Sequence, residues 1–487
     1  MAERHPGART MKSPYKIILA VSVMILSLAA SPPRYGGSLV LGTTEMPQPI
    51  QEKTASLESL QLYSLVYENF FTKNENSVPV SSILEVQVNQ AKTRYILKLR
   101  ENITYHDGTI PTAEDLFYSL ERAEKIDPLL RLYLDDQGLM VLDEDRLEIS
   151  FKSPAPGFIE ALCSKALILL PEKKYHSRPF PPGTGPFIIQ HQDTKQLHLI
   201  AFPKHHKGRP YLDSITIRKL PEKLSPASAI KAGYVNASWG NTPKTSGFVN
   251  LAQPAWSLVY LAMGSKTPIM DNIYIRRALA CAIDIQTLLR VFLPANGRPA
   301  TGFIPPSALK KSLSISDFYY DPQTAQDYLS RGAQGQSIPL LELVYPRSSP
   351  DLKQVAERIQ VDLLQIGLRV KLQELPQPEI KKMLSTGQFD LALNKTTCIS
   401  GNPEAMILPF LDTSAKPAFM QMLKAEDYKR EDILAMLEKE LLQKARFIPL
   451  YHTVSWFTLP ADLYNASIAP PGILELDNCW YLSGDKL

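Results

Sequence analysis

The stretch from Thr93 to Arg122, TRYILKLRENITYHDGTIPTAEDLFYSLER, leaves its backbone few options. Tyr95, Leu97 and Leu99 alternate with Lys98 and Arg100, the two-residue period of a half-buried strand. Asp107-Gly108 predicts a turn, because glycine tolerates positive φ. Pro111 sets an extended entry, and Thr112 stands where a helix N-cap belongs. Asp115, three residues on, can return a weaker form of the capping-box bond. Leu116, Phe117, Leu120 and Ala123 then form the buried stripe of a helix. Strand, turn and helix are expected in that order, as a structural unit with no chemistry of its own.

A chain of 487 residues exceeds one hydrophobic core, so two or three lobes are expected. Hydrophobic residues make up 44% and charged ones 21%, as in folded globular proteins. A net charge of +4, spread along the chain, leaves no nucleic-acid footprint. The 40 prolines, against 23 glycines, predict stiff loops and extended connections. At the start, Arg4, Arg9, Lys12 and Lys16 precede an apolar run from Ile17 to Ala30 that is short for a bilayer span. That is the pattern of a secretory leader, so residues 1–31 are read as a signal peptide, with Met1 or Met11 as the start. No cysteine follows the run, so a lipid anchor has no attachment point.

Further along, Leu57 to Phe71 carries a helical apolar face. Pro182-Gly183-Thr184-Gly185-Pro186-Phe187 places glycines before a strand, whereas a phosphate cradle needs a helix N-terminus there. Ile273 to Ala282 reads as a helix with Arg276 and Arg277 on a solvated face. The strand Leu340–Tyr345, the amphipathic helix Leu352–Ile366 and the strand Leu368–Leu372 predict a βαβ unit. Cys163, Cys281, Cys398 and Cys479 fit no metal-ligand spacing and are read as buried small side chains or one disulfide. The histidines are scattered. Their one pair, His205-His206, is read as a solvated turn, and neither a metal nor a cofactor is assigned.

Three motifs recur in a telling order. The turn His106-Asp107-Gly108-Thr109 runs into Ala113-Glu114-Asp115. The loop Gly183-Thr184-Gly185 follows, and Arg276-Arg277-Ala278-Leu279 leads to Ala282-Ile283-Asp284. In order and spacing, from about Gly36 to Tyr451, the chain resembles the family 5 solute-binding proteins of peptide and nickel ABC transporters. The resemblance implies an α/β, two-lobed periplasmic binding protein fold of class II, with three interleaved domains and a hinge. Domain I would take 32–46, 172–253 and 454–487, domain II 47–171, and domain III 254–453. It also implies a monomeric, non-catalytic periplasmic protein. Such a protein captures a peptide and delivers it to permease subunits in the inner membrane, with no nucleic-acid partner.

The same resemblance nominates ligand-facing residues. Glu45 matches a cleft glutamate of the oligopeptide binders. Trp239 and Asn241 fall where these deliver an aromatic ring and an amide. Arg347, after its strand, stands near an arginine that grips a peptide carboxylate. Thr396, Thr397, Cys398 and Ile399 occupy a cleft-lining segment anchored by Pro403. Here the chain departs from the pattern: Thr396 stands for a tryptophan, and Ile399 for the aspartate that receives the ligand ammonium. Glu45 would then supply the charge, or the ligand lacks a standard free amino end. That departure keeps cell-wall-derived peptides, haem or a nickel chelate open as alternative ligands. A secreted hydrolase is the other class, but neither Gly-x-Ser-x-Gly nor His-Glu-x-x-His occurs. A chaperone or adhesin on the same fold is a third.

Overall fold

The computed structural model describes residues 32–50, 56–74, 76–134, 138–173, 179–240, 242–309, 319–347 and 349–482. The expected leader and Asn241 lie outside them. Within them, Thr93–Arg122 folds as its pattern requires. Its strand, Arg94–Leu99, buries Tyr95, Leu97 and Leu99. Gly108 turns the chain at φ +84°. The Thr112 N–H donates to Asp115 Oδ2 at 3.0 Å, and the helix Ala113–Ile126 begins. The strand is one of the two inner members of a four-stranded antiparallel sheet with Leu84–Val88, Arg146–Ser150 and Gly138–Val141.

The polar side of that helix is buried as well. Asp115, Ser119 and Arg122 share one face at i, i+4 and i+7. Asp115 Oδ1 accepts from the Glu172 N–H at 2.7 Å, and Ser119 Oγ from the Leu170 N–H at 3.0 Å. Arg122 Nη1 donates to the Ala166 carbonyl at 3.1 Å. The helix thus satisfies the backbone of residues 166–172, which have no sheet partner for these groups.

The larger sheet is mixed and has 11 strands. From one edge its order is Val370–Leu375, Leu341–Pro346, Leu391–Thr397, Phe248–Met263, Phe447–Pro460, Ala237–Trp239, Ser38–Thr43, Ser214–Lys219, Gln196–Ala201 and Phe187–Gln192, with Gly297–Pro299 beside Phe447–Pro460. Leu341–Pro346 and Val370–Leu375 are parallel and joined by the helix Pro350–Gln365, which is the expected βαβ unit. Two strands carry the whole arrangement. Phe248–Met263 and Phe447–Pro460 pair along most of their length, with a register shift between Pro254 and Leu258. On one side of the shift lies the apolar cluster around Leu39, Tyr63 and Phe457. On the other lies the cluster around Val259, Ile359 and Leu391. A third cluster joins the four-stranded sheet to Trp256, Phe410 and Leu437.

Several readings are corrected by packing. The first helix ends at Val66, not Phe71, because the Val66 carbonyl accepts from the Gly185 N–H at 2.9 Å and Asn69 bridges to Ile168. Arg276 is buried, not solvated, and caps carbonyls of Lys444, Met270 and Asp271 at 2.9, 3.1 and 2.8 Å. His205 is buried and His206 nearly so, because both turn toward the carboxylate of Glu68. All four cysteines are free and buried. Four helices went unread: Pro128–Leu134, Gln377–Thr386, Pro403–Ile407 and Lys416–Leu423. Each has a proline in its first two positions, a start signal the sequence did display.

Candidate functional site

Two of the sequence motifs turn out to be one object. The His106 N–H donates to the Gly183 carbonyl at 2.8 Å, and the Gly183 N–H donates to His106 Nδ1 at 3.3 Å. His106 Nε2 lies 2.9 Å from the Gly185 carbonyl. The imidazole is therefore neutral, protonated on Nε2, and burial lowers its pKa to about 4. The glycines let this loop lie on the end of the first helix. A Cβ on Gly183 would sit 1.9 Å from the Val66 carbonyl oxygen, and one on Gly185 2.6 Å from the Val66 carbonyl carbon. The knot is scaffold.

The cleft-lining segment is built differently. Leu391–Thr397 pairs antiparallel with Phe248–Met263, setting Thr397 opposite Ser257, with their hydroxyls 2.7 Å apart. The Cys398 N–H continues the pairing to the Trp256 carbonyl at 2.7 Å. The Cys398 thiol lies against Ser400 Oγ and the Asn402 carbonyl at 3.2 and 3.4 Å, and burial pushes its pKa up to about 11. It is an inert side chain, not a nucleophile. Beyond it the segment is tied across to the helix Phe158–Ala161, the loop after it and Lys73. The Ile399 carbonyl accepts from the Lys165 N–H at 3.3 Å. Asn402 donates to the Glu160 carbonyl at 2.9 Å and accepts from Lys73 Nζ at 2.9 Å.

Two cavities flank this segment. One, of about 720 Å³, is lined by Thr396, Thr397, Cys398 and Ile399 together with Met406 and Phe419. It is mostly apolar, with Arg131 and Lys416 at its exposed edge and the buried carboxyl of Asp127 in its wall. Burial raises the pKa of Asp127, while the Ser164 hydroxyl donates to it at 2.6 Å. The other cavity, of about 560 Å³, carries charged side chains in its wall: Lys73, Glu160, Lys165, Glu404, Arg430 and Glu475. Arg430 is buried against Glu404, with Glu160 at 4.0 Å. Sequence reasoning missed this charged wall. Arg430 and Glu404 show no local signal, since only the fold places them in contact.

Of the nominated residues, the structure brings Thr396 through Ile399 together on the apolar cavity. Trp239 lies tilted against Phe457, ring centroids 5.1 Å apart, and packs on the same apolar cluster as Ile399 and Met46. Glu45, next to Met46, is exposed, and its carbonyl accepts from Thr43 Oγ1 at 2.8 Å. Arg347 is exposed at the end of Leu341–Pro346, with Nε 4.0 Å from Glu374. Neither Glu45, Trp239 nor Arg347 lines either cavity among the described residues.

A mixed sheet crossed by two shared strands, with cavities where the elements around Asp127 and Glu160 meet Thr396–Pro403, defines a two-lobed binding protein. The family "Bacterial extracellular solute-binding proteins, family 5 Middle" matches residues 79–418, and the chain belongs to it. Haem-binding protein A of Haemophilus influenzae is 25% identical over 65% of this chain and 60% of its own length. Di/tripeptide-binding protein 2 of Pseudomonas aeruginosa is 25% identical over 64% of this chain and 66% of its own. The chain thus spans less than two thirds of these two relatives. Among solved structures, the oligopeptide-binding protein AppA of Bacillus subtilis, in complex with a nonapeptide, superposes with a TM-score of 0.76. It is 18% identical, over 93% of this chain and all of that one. NikA of Brucella suis, in complex with Fe(III)-EDTA, gives a TM-score of 0.81 at 16% identity, over 91% of this chain and all of that one. These likenesses establish the fold. Among the described residues, no helix is long and apolar enough to cross a membrane.

Proposed function

We propose that this protein is the periplasmic receptor of a peptide ABC transporter, a binder without catalysis that hands its cargo to permease subunits in the inner membrane. Domain I (32–46, 172–253, 454–487) and domain II (47–171) would close against domain III (254–453). The register shift between Pro254 and Leu258 would serve as part of the hinge. Glu45, Trp239, Asn241 and Arg347 would approach the ligand together with Thr396, Thr397, Cys398 and Ile399.

The observation that carries this reading is the apolar cavity on Thr396–Ile399. Its volume of about 720 Å³ lies within the ordinary range of ligand pockets. With an isoleucine where an ammonium partner is expected, it favours peptides with apolar side chains whose amino end needs no pairing. The same lining, with cations at its edge, also suits haem, whose ring is apolar and whose propionates are anionic. Native mass spectrometry of the protein purified without refolding separates these. A ladder of peptide masses supports the first reading, a single haem mass the second. If no cargo is found and a peptide panel gives no rise in melting temperature, the receptor reading fails.

A further inference from the structure

We propose that Glu68, His205 and His206 form a site for one late first-row divalent ion of the Zn²⁺ type, whose ligand atoms all lie within 4.8 Å of one another. This site is independent of the peptide cavity. Glu68 follows the first helix, where the Leu169 N–H fixes its carbonyl at 2.9 Å. His205 and His206 come from a turn closed by the Gly208 N–H on the His205 carbonyl at 2.8 Å. Their rings lie 4.6 Å apart and face the same carboxylate.

An ion pair alone accounts poorly for this arrangement. Glu68 Oε1 is oversubscribed: His206 Nε2 lies at 2.7 Å, Ser82 Oγ at 3.0 Å, Lys207 Nζ at 3.4 Å and His205 Nε2 at 3.7 Å. Glu68 Oε2 and His205 Nε2, on side chains 7% and 5% exposed, have no hydrogen-bond partner among the described residues. Each such buried orphan is unfavourable to the fold. A cation between them satisfies both at once. Two ligands bonded to one Zn²⁺ at about 2.0–2.1 Å in a tetrahedron stand roughly 3.4 Å apart, between the 2.7 and 3.7 Å that separate Glu68 Oε1 from the two imidazole Nε2 atoms. Two imidazoles and a carboxylate suit Zn²⁺, Co²⁺ or Ni²⁺ rather than Mg²⁺ or Ca²⁺. A small cavity of about 100 Å³, lined by Glu68 and His205, leaves room for a water as fourth ligand. Lys207 is the competing charge. Its side chain is 50% exposed and can swing into solvent when the ion enters.

The test uses tag-free protein stripped with chelator and titrated calorimetrically with ZnCl₂, MgCl₂ and CaCl₂. One equivalent of Zn²⁺ is expected to bind and the other two ions are not. X-ray absorption of the zinc-loaded wild-type protein should show two imidazoles and a carboxylate, a readout that needs no variant. His206→Asn and Glu68→Gln should each raise Kd at least about tenfold, whereas Lys207→Met should lower it. Absence of stoichiometric binding, a shell with fewer than two imidazoles, or an unchanged Kd in folded His206→Asn would each overturn the proposal.

Discussion

The knot of His106 on Gly183 and Gly185 and the segment Thr396–Pro403 are both places where this chain can be compared with its family, and they behave oppositely. In the knot, each hydrogen bond engages a backbone group and the glycines lie on the backbone of Val66, so the residues that make it cannot vary without moving the first helix. In the segment, the backbone is held by its neighbours in the sheet and by Lys165, while the side chains face cavities. The partly buried Thr396, Thr397 and Ile399 can change at little cost to the fold, unlike the buried, hydrogen-bonded Cys398, Ser400 and Asn402. The motif residues His106, Gly183 and Gly185 thus serve the scaffold, and under the proposed receptor function the ligand chemistry would sit in the segment where this chain departs from the pattern.

The strongest way to break this contrast is Gly183→Ala. Its methyl has no room against the Val66 carbonyl, so the loop or the helix must shift. A loss of about 3 kcal/mol is expected, read from the urea midpoint. A loss below about 1 kcal/mol would show that the loop is free to rearrange, and the scaffold reading of the motif would go with it.

Acid should loosen the knot next. An unfolded histidine titrates near 6.5, and His106 in the fold near 4 because of burial. Between those values the unfolded chain binds more protons, so stability falls as pH drops from about 6.5 to 4. The shift limits the effect to about 3 kcal/mol. His452, also lowered to about 4 by burial, acts in the same direction. Glu438 opposes them. Burial raises its pKa to about 7, so it withdraws stability as pH rises from about 4.5 to 7. The informative quantity is thus a difference: His106→Asn should flatten the acid limb of the wild-type stability profile. An unchanged limb would remove His106 from the account.

These two regions also show what the sequence could disclose. Alternation at Tyr95, Leu97 and Leu99 and the cap at Thr112 are local, and local patterns were readable as strand and helix. Ile399 was readable as a departure, because Pro403 fixed the alignment. The buried polar face of Asp115, Ser119 and Arg122 was not, since each of its partners lies more than a strand away in sequence. Arg276 looks solvated from sequence alone for the same reason: the carbonyls that bury it include Lys444, far along the chain. The pairing of Glu68 with His205 and His206 likewise exists only after folding.

On the variable side, Ile399→Asp should convert the cavity's preference rather than the protein's stability. Ile399 is only partly buried, so the fold should lose little. A carboxylate there can pair a ligand ammonium, and free-amine peptides should gain roughly tenfold in affinity over their acetylated forms. Equal affinities would mean that the amino end of the ligand lies elsewhere.

The smallest effect is expected at Arg347. Its guanidinium is two-thirds exposed and only 4.0 Å from Glu374, a pair that contributes little to stability. Arg347→Ala should therefore change the unfolding free energy by no more than about 0.5 kcal/mol. If the side chain grips a peptide carboxylate on closure, affinity for free-acid peptides should fall by about 1–2 kcal/mol, while amidated peptides lose nothing. Calorimetry with matched acid and amide peptides reads both numbers. Equal losses would leave Arg347 a surface arginine, and the carboxylate's partner would have to be sought among Lys73, Lys165, Arg430, Arg131 and Lys416, cations that line the two cavities.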